Sequence, residues 1–183
     1  MSFKFNKFNE SDRIMVIFST RRSDKSGSET VYDLLRAAFL LHYGAVFPEI
    51  KKTINGKPHF PNMADIHFSL SHAQTHVLCV IADKPVGCDI EVSNRVISQK
   101  ALRYFCSDKE RDMFDPLDLW LLKESYVKLL GGTFGSIRRL HFLRDGAQVI
   151  FPDPDVCSKL YSIDGCRAAV CGYDPLPEKI ILV

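Results

Sequence analysis

Residues Val86 to Val92 read Val-Gly-Cys-Asp-Ile-Glu-Val, and this alternation constrains the chain more than any other feature. In an extended strand successive side chains point to opposite faces, so Asp89 and Glu91 share one face. Cys88, Ile90 and Val92 share the other. Two acids on one face of an otherwise apolar strand repel each other and resist burial, and a hard divalent cation is an economical neutraliser. A second charged cluster follows about thirty residues later, in Trp120-Leu-Leu-Lys123-Glu124-Ser-Tyr-Val-Lys128. Together the two point to a magnesium site that holds a phosphorylated substrate.

The chain of 183 residues is long enough to bury a real core, as one domain or as two small lobes sharing an interface. A net charge of +2 gives no compositional support for binding nucleic acid. The six cysteines form no CxxC pair, and Cys79, Cys88, Cys166 and Cys171 lie in apolar, strand-like stretches. Cysteine behaves there as a small buried hydrophobe, which predicts reduced thiols and a cytoplasmic protein. Met1 to Lys7 is too broken by charge for a signal peptide, and no apolar run approaches the ~20 residues of a membrane span.

The local pattern mixes helix and strand. Ile14 to Ser19 reads as a buried strand. Ser26 and Glu29 form a capping box, after which Val31, Leu34, Leu35, Ala38, Phe39 and His42 recur at helical spacing up to Gly44. Asn55-Gly56-Lys57-Pro58 is a turn. Ile66 to Ser71, Val77 to Ala82 and the strand carrying Asp89 predict an antiparallel meander. Ser107 and Glu110 form a second capping box, and a helix from about Leu117 to Leu130 stops at Gly131-Gly132. Further strands are expected from Ile137 onward. A faint echo links Phe68–Ser71 and Val77–Val80 with Tyr161–Asp164 and Ala168–Cys171.

Several side chains on this framework carry chemistry. Trp120, Glu124 and Lys128 are successive i, i+4 neighbours on one helix face, with Lys123 beside Trp120. Taken alone, Glu124 and Lys128 fit a solvated ion pair on an exposed helix face. Ser69, Ser71 and His72 cluster at a strand end, where hydroxyls and an imidazole suit phosphate oxygens or simply cap a turn. Lys57 is a cation on a loop stiffened by Pro58. His72 and His76 are separated by a turn, which argues against a zinc pair. No GxSxG, GxxxxGK[ST] or GxGxxG occurs, which removes the simplest hydrolase, nucleoside-triphosphatase and dinucleotide readings.

The ordered set Gly56-Lys57-Pro58, Phe68–His72, Val86–Glu91, Phe105–Glu110 and Trp120–Lys128 resembles the 4′-phosphopantetheinyl transferase superfamily, nearest its monomeric, surfactin-synthetase-activating type. The resemblance covers residues 56 to 131. It implies an α+β fold of two similar lobes related by a pseudo-twofold, residues 1–95 and 96–183, each a helix on a small, largely antiparallel sheet. It also implies a monomer that transfers phosphopantetheine from coenzyme A to a serine of an apo acyl or peptidyl carrier protein, releasing adenosine 3′,5′-bisphosphate. By position, Asp89, Glu91 and Glu124 would bind Mg²⁺, and Lys57 and Pro58 would flank the adenine. Ser71 and His72 would meet phosphates, and Lys123 and Lys128 would hold the pyrophosphate end.

Glu124 is the family's usual base, with a metal-bound water as the competing candidate. The family's basic residues early in the first helix are missing from Glu29–Asp33, and Arg21, Arg22 or Lys25 in the preceding loop are the available substitutes. Two other readings stand beside this one. One is a non-catalytic carrier-binding module of the same fold, and the other is an unrelated magnesium-dependent phosphohydrolase.

Overall fold

The computed structural model describes residues 15–183, so Ile14 and the charged Met1–Lys7 segment lie outside the described residues. Strand β1 (Val16–Arg21) leads into helix α1 (Gly27–Tyr43), whose Ser26 and Glu29 form the expected capping box. Gly44 ends α1 in the left-handed conformation at φ 58°. A short hairpin follows, β2 (Lys51–Lys52) and β3 (Pro58–His59), then strands β4 (His67–His72), β5 (His76–Ala82) and β6 (Val86–Val92).

Next come helices α2 (Gln99–Phe105), α3 (Asp108–Met113) and α4 (Pro116–Leu130), then a 3₁₀ turn over Phe134–Arg139. The chain closes with β7 (Leu143–Asp145), β8 (Gln148–Ile150), β9 (Cys157–Ile163), β10 (Cys166–Gly172) and β11 (Ile181–Leu182). Helix α2 and the 3₁₀ turn carry no strong sequence signal.

Two principal sheets result, one ordered β11-β1-β5-β4 and the other β6-β10-β9. The expected three-strand meander therefore breaks after β5. Strands β4 and β5 pair antiparallel, but β6 pairs with β10, Asp89 opposite Ala169 and Glu91 opposite Arg167. β11 returns to pair in parallel with β1. Both sheets thus draw on residues either side of position 95.

Strict alternation builds three apolar clusters. Leu78, Val80 and Ala82 of β5 join Val86, Cys88 and Ile90 of β6 and Ala168 and Val170 of β10 in a core between the sheets. Val77, Cys79 and Ile81 face α1, meeting Leu34, Leu35, Ala38 and Phe39. Ala169 and Cys171 face α4, meeting Leu121, Leu122, Tyr126 and Leu129. All six cysteines are free thiols, and only Cys157 is exposed.

Helix α4 lies directly on β6 because residue 87 is glycine. A Cβ there would fall 1.9 Å from the Ser125 carbonyl oxygen and 2.4 Å from the Leu129 amide nitrogen. The ends of α4 are also fixed. Asp115 caps the first turn through Leu117 N and Asp118 N. Arg167 of β10 then donates to the carboxylates of Asp115 (2.9 Å) and Asp118 (2.8 Å).

Candidate active site

The alternation in β6 sends Asp89 and Glu91 toward α4, away from the inter-sheet core. Asp89 is 7% exposed. Its Oδ1 accepts from Ser71 Oγ at 2.6 Å and from Lys128 Nζ at 2.7 Å. Lys128 also donates to Ser71 Oγ at 3.1 Å, closing a three-membered network between β4, β6 and α4. One residue pair earlier, Ser69 Oγ accepts from the Cys88 amide at 3.0 Å. The edges of the two sheets are therefore joined by serine hydroxyls at the point where the site forms.

Charges in this network are set by burial and by each other. Burial alone would drive the Lys128 ammonium down, but the adjoining Asp89 carboxylate, with Glu124 behind it, holds its pKa above the ordinary lysine value. Glu124 is shifted up, first by burial and then by the Asp89 charge, while Lys128 and Arg95 pull it back. Its Oε1 is buried and has no hydrogen-bond partner. An ionisable oxygen left bare beside a second carboxylate is costly unless a ligand completes it.

Glu91 is engaged differently. Arg95 forms an ion pair with its carboxylate and lies 5.1 Å from the Trp120 ring centroid. Trp120 in turn packs edge-on against Phe105 and tilts against Phe134. Among the described residues no three His, Cys, Asp or Glu side chains are gathered as a metal site. Lys128 draws Asp89, and Arg95 draws Glu91. The chemistry of the donors nevertheless fits a hard cation, because Asp89 and Glu124 offer carboxylate oxygens and the bare Glu124 oxygen has no hydrogen-bond partner.

Next to this network a cleft of about 220 Å³ is lined by Asn55, Gly56, Lys57, Pro58, Phe68, Ser69, Leu70, Lys128, Gly131 and Gly132. The Lys57 stem and Pro58 thus border it. The Lys57 ammonium does not face it freely, since it donates to the carbonyls of Lys128 (2.6 Å), Leu129 (3.1 Å) and Val86 (3.3 Å).

Other expected residues stand elsewhere. Lys123 is fully buried on the core side of α4, one residue and about 100° round the helix from Glu124. Its ammonium binds Glu110 at 2.8 Å and the carbonyls of Phe105 and Leu140, away from the Asp89–Lys128 network. Arg21 is paired with Asp164, and Lys25 with Asp33 at 2.7 Å. His72 is exposed, its ring packed on the first turn of α1 so closely that a Cβ at Gly27 would sit 2.8 Å from it. Sequence reading missed Arg95, and it placed Ser69 in the strand-end cluster without its tie to the Cys88 amide. An i, i+4 pair such as Glu91–Arg95 signals contact only inside a helix, and here it spans a strand end and a turn.

Residues 85–164 match the family model described as the 4′-phosphopantetheinyl transferase superfamily. The 4′-phosphopantetheinyl transferase Sfp of Bacillus subtilis (strain 168) is 34% identical over 151 residues, covering 70% of this chain and 65% of that protein. The 4′-phosphopantetheinyl transferase psf-1 of Bacillus pumilus is 30% identical over 137 residues, with 66% and 59% covered. The 4′-phosphopantetheinyl transferase AcpT of Escherichia coli (strain K12) is 32% identical over 114 residues, with 55% and 57% covered. The chain therefore spans less than two thirds of the length of these relatives.

Proposed function

Because this chain belongs to the 4′-phosphopantetheinyl transferase superfamily, we propose that it transfers phosphopantetheine from coenzyme A to a serine of an acyl or peptidyl carrier protein. Adenosine 3′,5′-bisphosphate is the second product. The protein acts as a cytoplasmic monomer in this reading, and its free thiols suit that compartment. The observation that carries the proposal is the bare, buried Glu124 oxygen facing the Asp89–Lys128 pair.

Each side chain has a task in this reaction. The cleft beside Pro58, Phe68 and Gly131 receives the nucleotide end of coenzyme A. Lys128 holds the diphosphate and offsets the charge that builds on the departing bisphosphate. Ser71 keeps Asp89 and Lys128 in register while the phosphoryl group moves in line. Glu124 accepts the proton of the carrier serine.

Asp89 and Glu124 would hold Mg²⁺, with Glu91 joining if it leaves Arg95. When bound, the ion supplies charge neutralisation at the diphosphate. Exposed basic residues near Lys100 to Arg111, on α2 and α3, meet the acidic helix of the carrier.

The test mixes the protein with coenzyme A, Mg²⁺ and a panel of apo carriers. A phosphopantetheine gain on the carrier serine supports transfer. Binding of the carrier without modification replaces it with a docking module, and carrier-independent release of the bisphosphate replaces it with a hydrolase.

A further inference from the structure

Lys57 borders the nucleotide cleft, yet its charge is spent elsewhere. A lysine ammonium has three N–H donors and no acceptor. Here all three find backbone carbonyls, Lys128 at 2.6 Å, Leu129 at 3.1 Å and Val86 at 3.3 Å. The first two belong to the last turn of α4, where carbonyls lack partners within the helix and the helix dipole is negative. The third opens β6.

These are the two elements that carry Lys128 and Asp89, whose side chains meet at 2.7 Å. They touch backbone to backbone at Gly87, immediately beside the Lys57 contacts. The same loop adds a second tie, Asn55 Nδ2 donating to the Gly131 carbonyl at 2.9 Å. We propose that Lys57 is a positioning residue that pins the C-terminal turn of α4 to the start of β6, and so sets the Lys128–Asp89 geometry, rather than a contact for the nucleotide. With no donor left over, it has nothing to offer a ligand without giving up that pin.

The role rests on the transferase reading only for its effect on turnover, so the experiment has an arm that needs no activity. Lys57→Met keeps the apolar stem along the cleft and removes the ammonium. In the full chain it speeds hydrogen exchange of the amides in the last turn of α4 and the first residues of β6 by on the order of tenfold, as expected when a capping contact is lost. Turnover falls by about 10- to 100-fold, the scale of a small misplacement of reacting groups, while the KM for coenzyme A changes by less than about threefold.

Unchanged exchange, or intact kcat with a raised KM, overturns the proposal. If Lys57→Met does not fold, the wild-type chain still decides. The Lys57 ammonium protons stay protected from solvent exchange in NMR with and without adenosine 3′,5′-bisphosphate. Their release on adding the bisphosphate sinks the idea. A wild-type chain that moves no phosphopantetheine refutes the transferase reading, and the two exchange measurements still judge the pin.

Discussion

Replacing Lys123 by Met tests the most deeply buried charge among the described residues. Lys123 and Glu110 are 0% and 1% exposed, and their 2.8 Å contact sits among the carbonyls of Phe105 and Leu140. Glu110 also accepts from Ser107 N (2.9 Å), Ser107 Oγ (2.8 Å) and Phe142 N (2.9 Å). Methionine fills the space of the lysine stem but strands the Glu110 charge, and breaking one partner of a buried pair costs about 3–5 kcal/mol. Against a typical domain stability of about 5–15 kcal/mol that is a large fraction. At about 2–4 °C per kcal/mol for a chain of this size, Tm drops by roughly 6–20 °C.

Urea and thermal melts followed by circular dichroism and by the fluorescence of Trp120 measure the effect. Combining Lys123→Met with Glu110→Gln removes both charges and recovers most of the loss, since apolar or neutral replacements of a whole pair are often near neutral. The pH dependence has a definite sign. Burial pushes the Glu110 carboxyl up, but Lys123 and the Phe142 and Ser107 donors outweigh it and hold it below 4.5. A carboxyl depressed in the folded state adds stability above its unfolded pKa and loses it as pH falls through the folded one. The gap between wild type and Lys123→Met is therefore widest at neutral pH and narrows as pH falls toward and through 4.5, the stranded Glu110 of the variant taking up its proton first. A loss under about 1 kcal/mol, or a double variant as weak as the single, refutes the reasoning.

Four further outcomes are expected. Glu124→Gln keeps the shape of a side chain whose Oε1 touches no donor, so it melts like wild type while transfer falls by about 10²–10⁴-fold in the carrier assay. Asp89→Asn weakens the hold on the Lys128 ammonium, whose pKa falls toward the ordinary lysine value in a side-chain NMR titration. Gly87→Ala forces α4 off β6 and destabilises the fold by about 3 kcal/mol or more in urea titration. In native protein a thiol reagent modifies Cys157 rapidly, and the five buried cysteines react only after denaturation.

Much of this was legible in the residues because local rules and tertiary packing agree. The Ser26/Glu29 and Ser107/Glu110 capping boxes, the Gly44 and Gly131 stops and the Asn55-Gly56 turn each carry a backbone requirement that the sequence states directly. The two-faced character of Val86–Val92 also holds, Cys88 and Ile90 entering the inter-sheet core while Asp89 turns to Lys128.

What failed depends on long-range pairing. Nothing in Val86–Val92 says whether β5 or β10 supplies its hydrogen bonds, and the short Asp83–Pro85 turn favours the wrong neighbour. Lys123 and Lys128 look alike in sequence, yet a 100° step per residue puts one in the core and the other in the site. Lys57 likewise gives no sign that its acceptors are carbonyls of α4, roughly seventy residues away.

In the proposed reaction Asp89, Glu124 and Lys128 form one transfer centre. Intact-mass measurement of apo carriers incubated with coenzyme A and Mg²⁺, comparing wild type with Glu124→Gln side by side, addresses it most directly. A carrier gains one phosphopantetheine on its serine with wild type and stays apo with the folded variant. A carrier modified equally well by both proteins contradicts it.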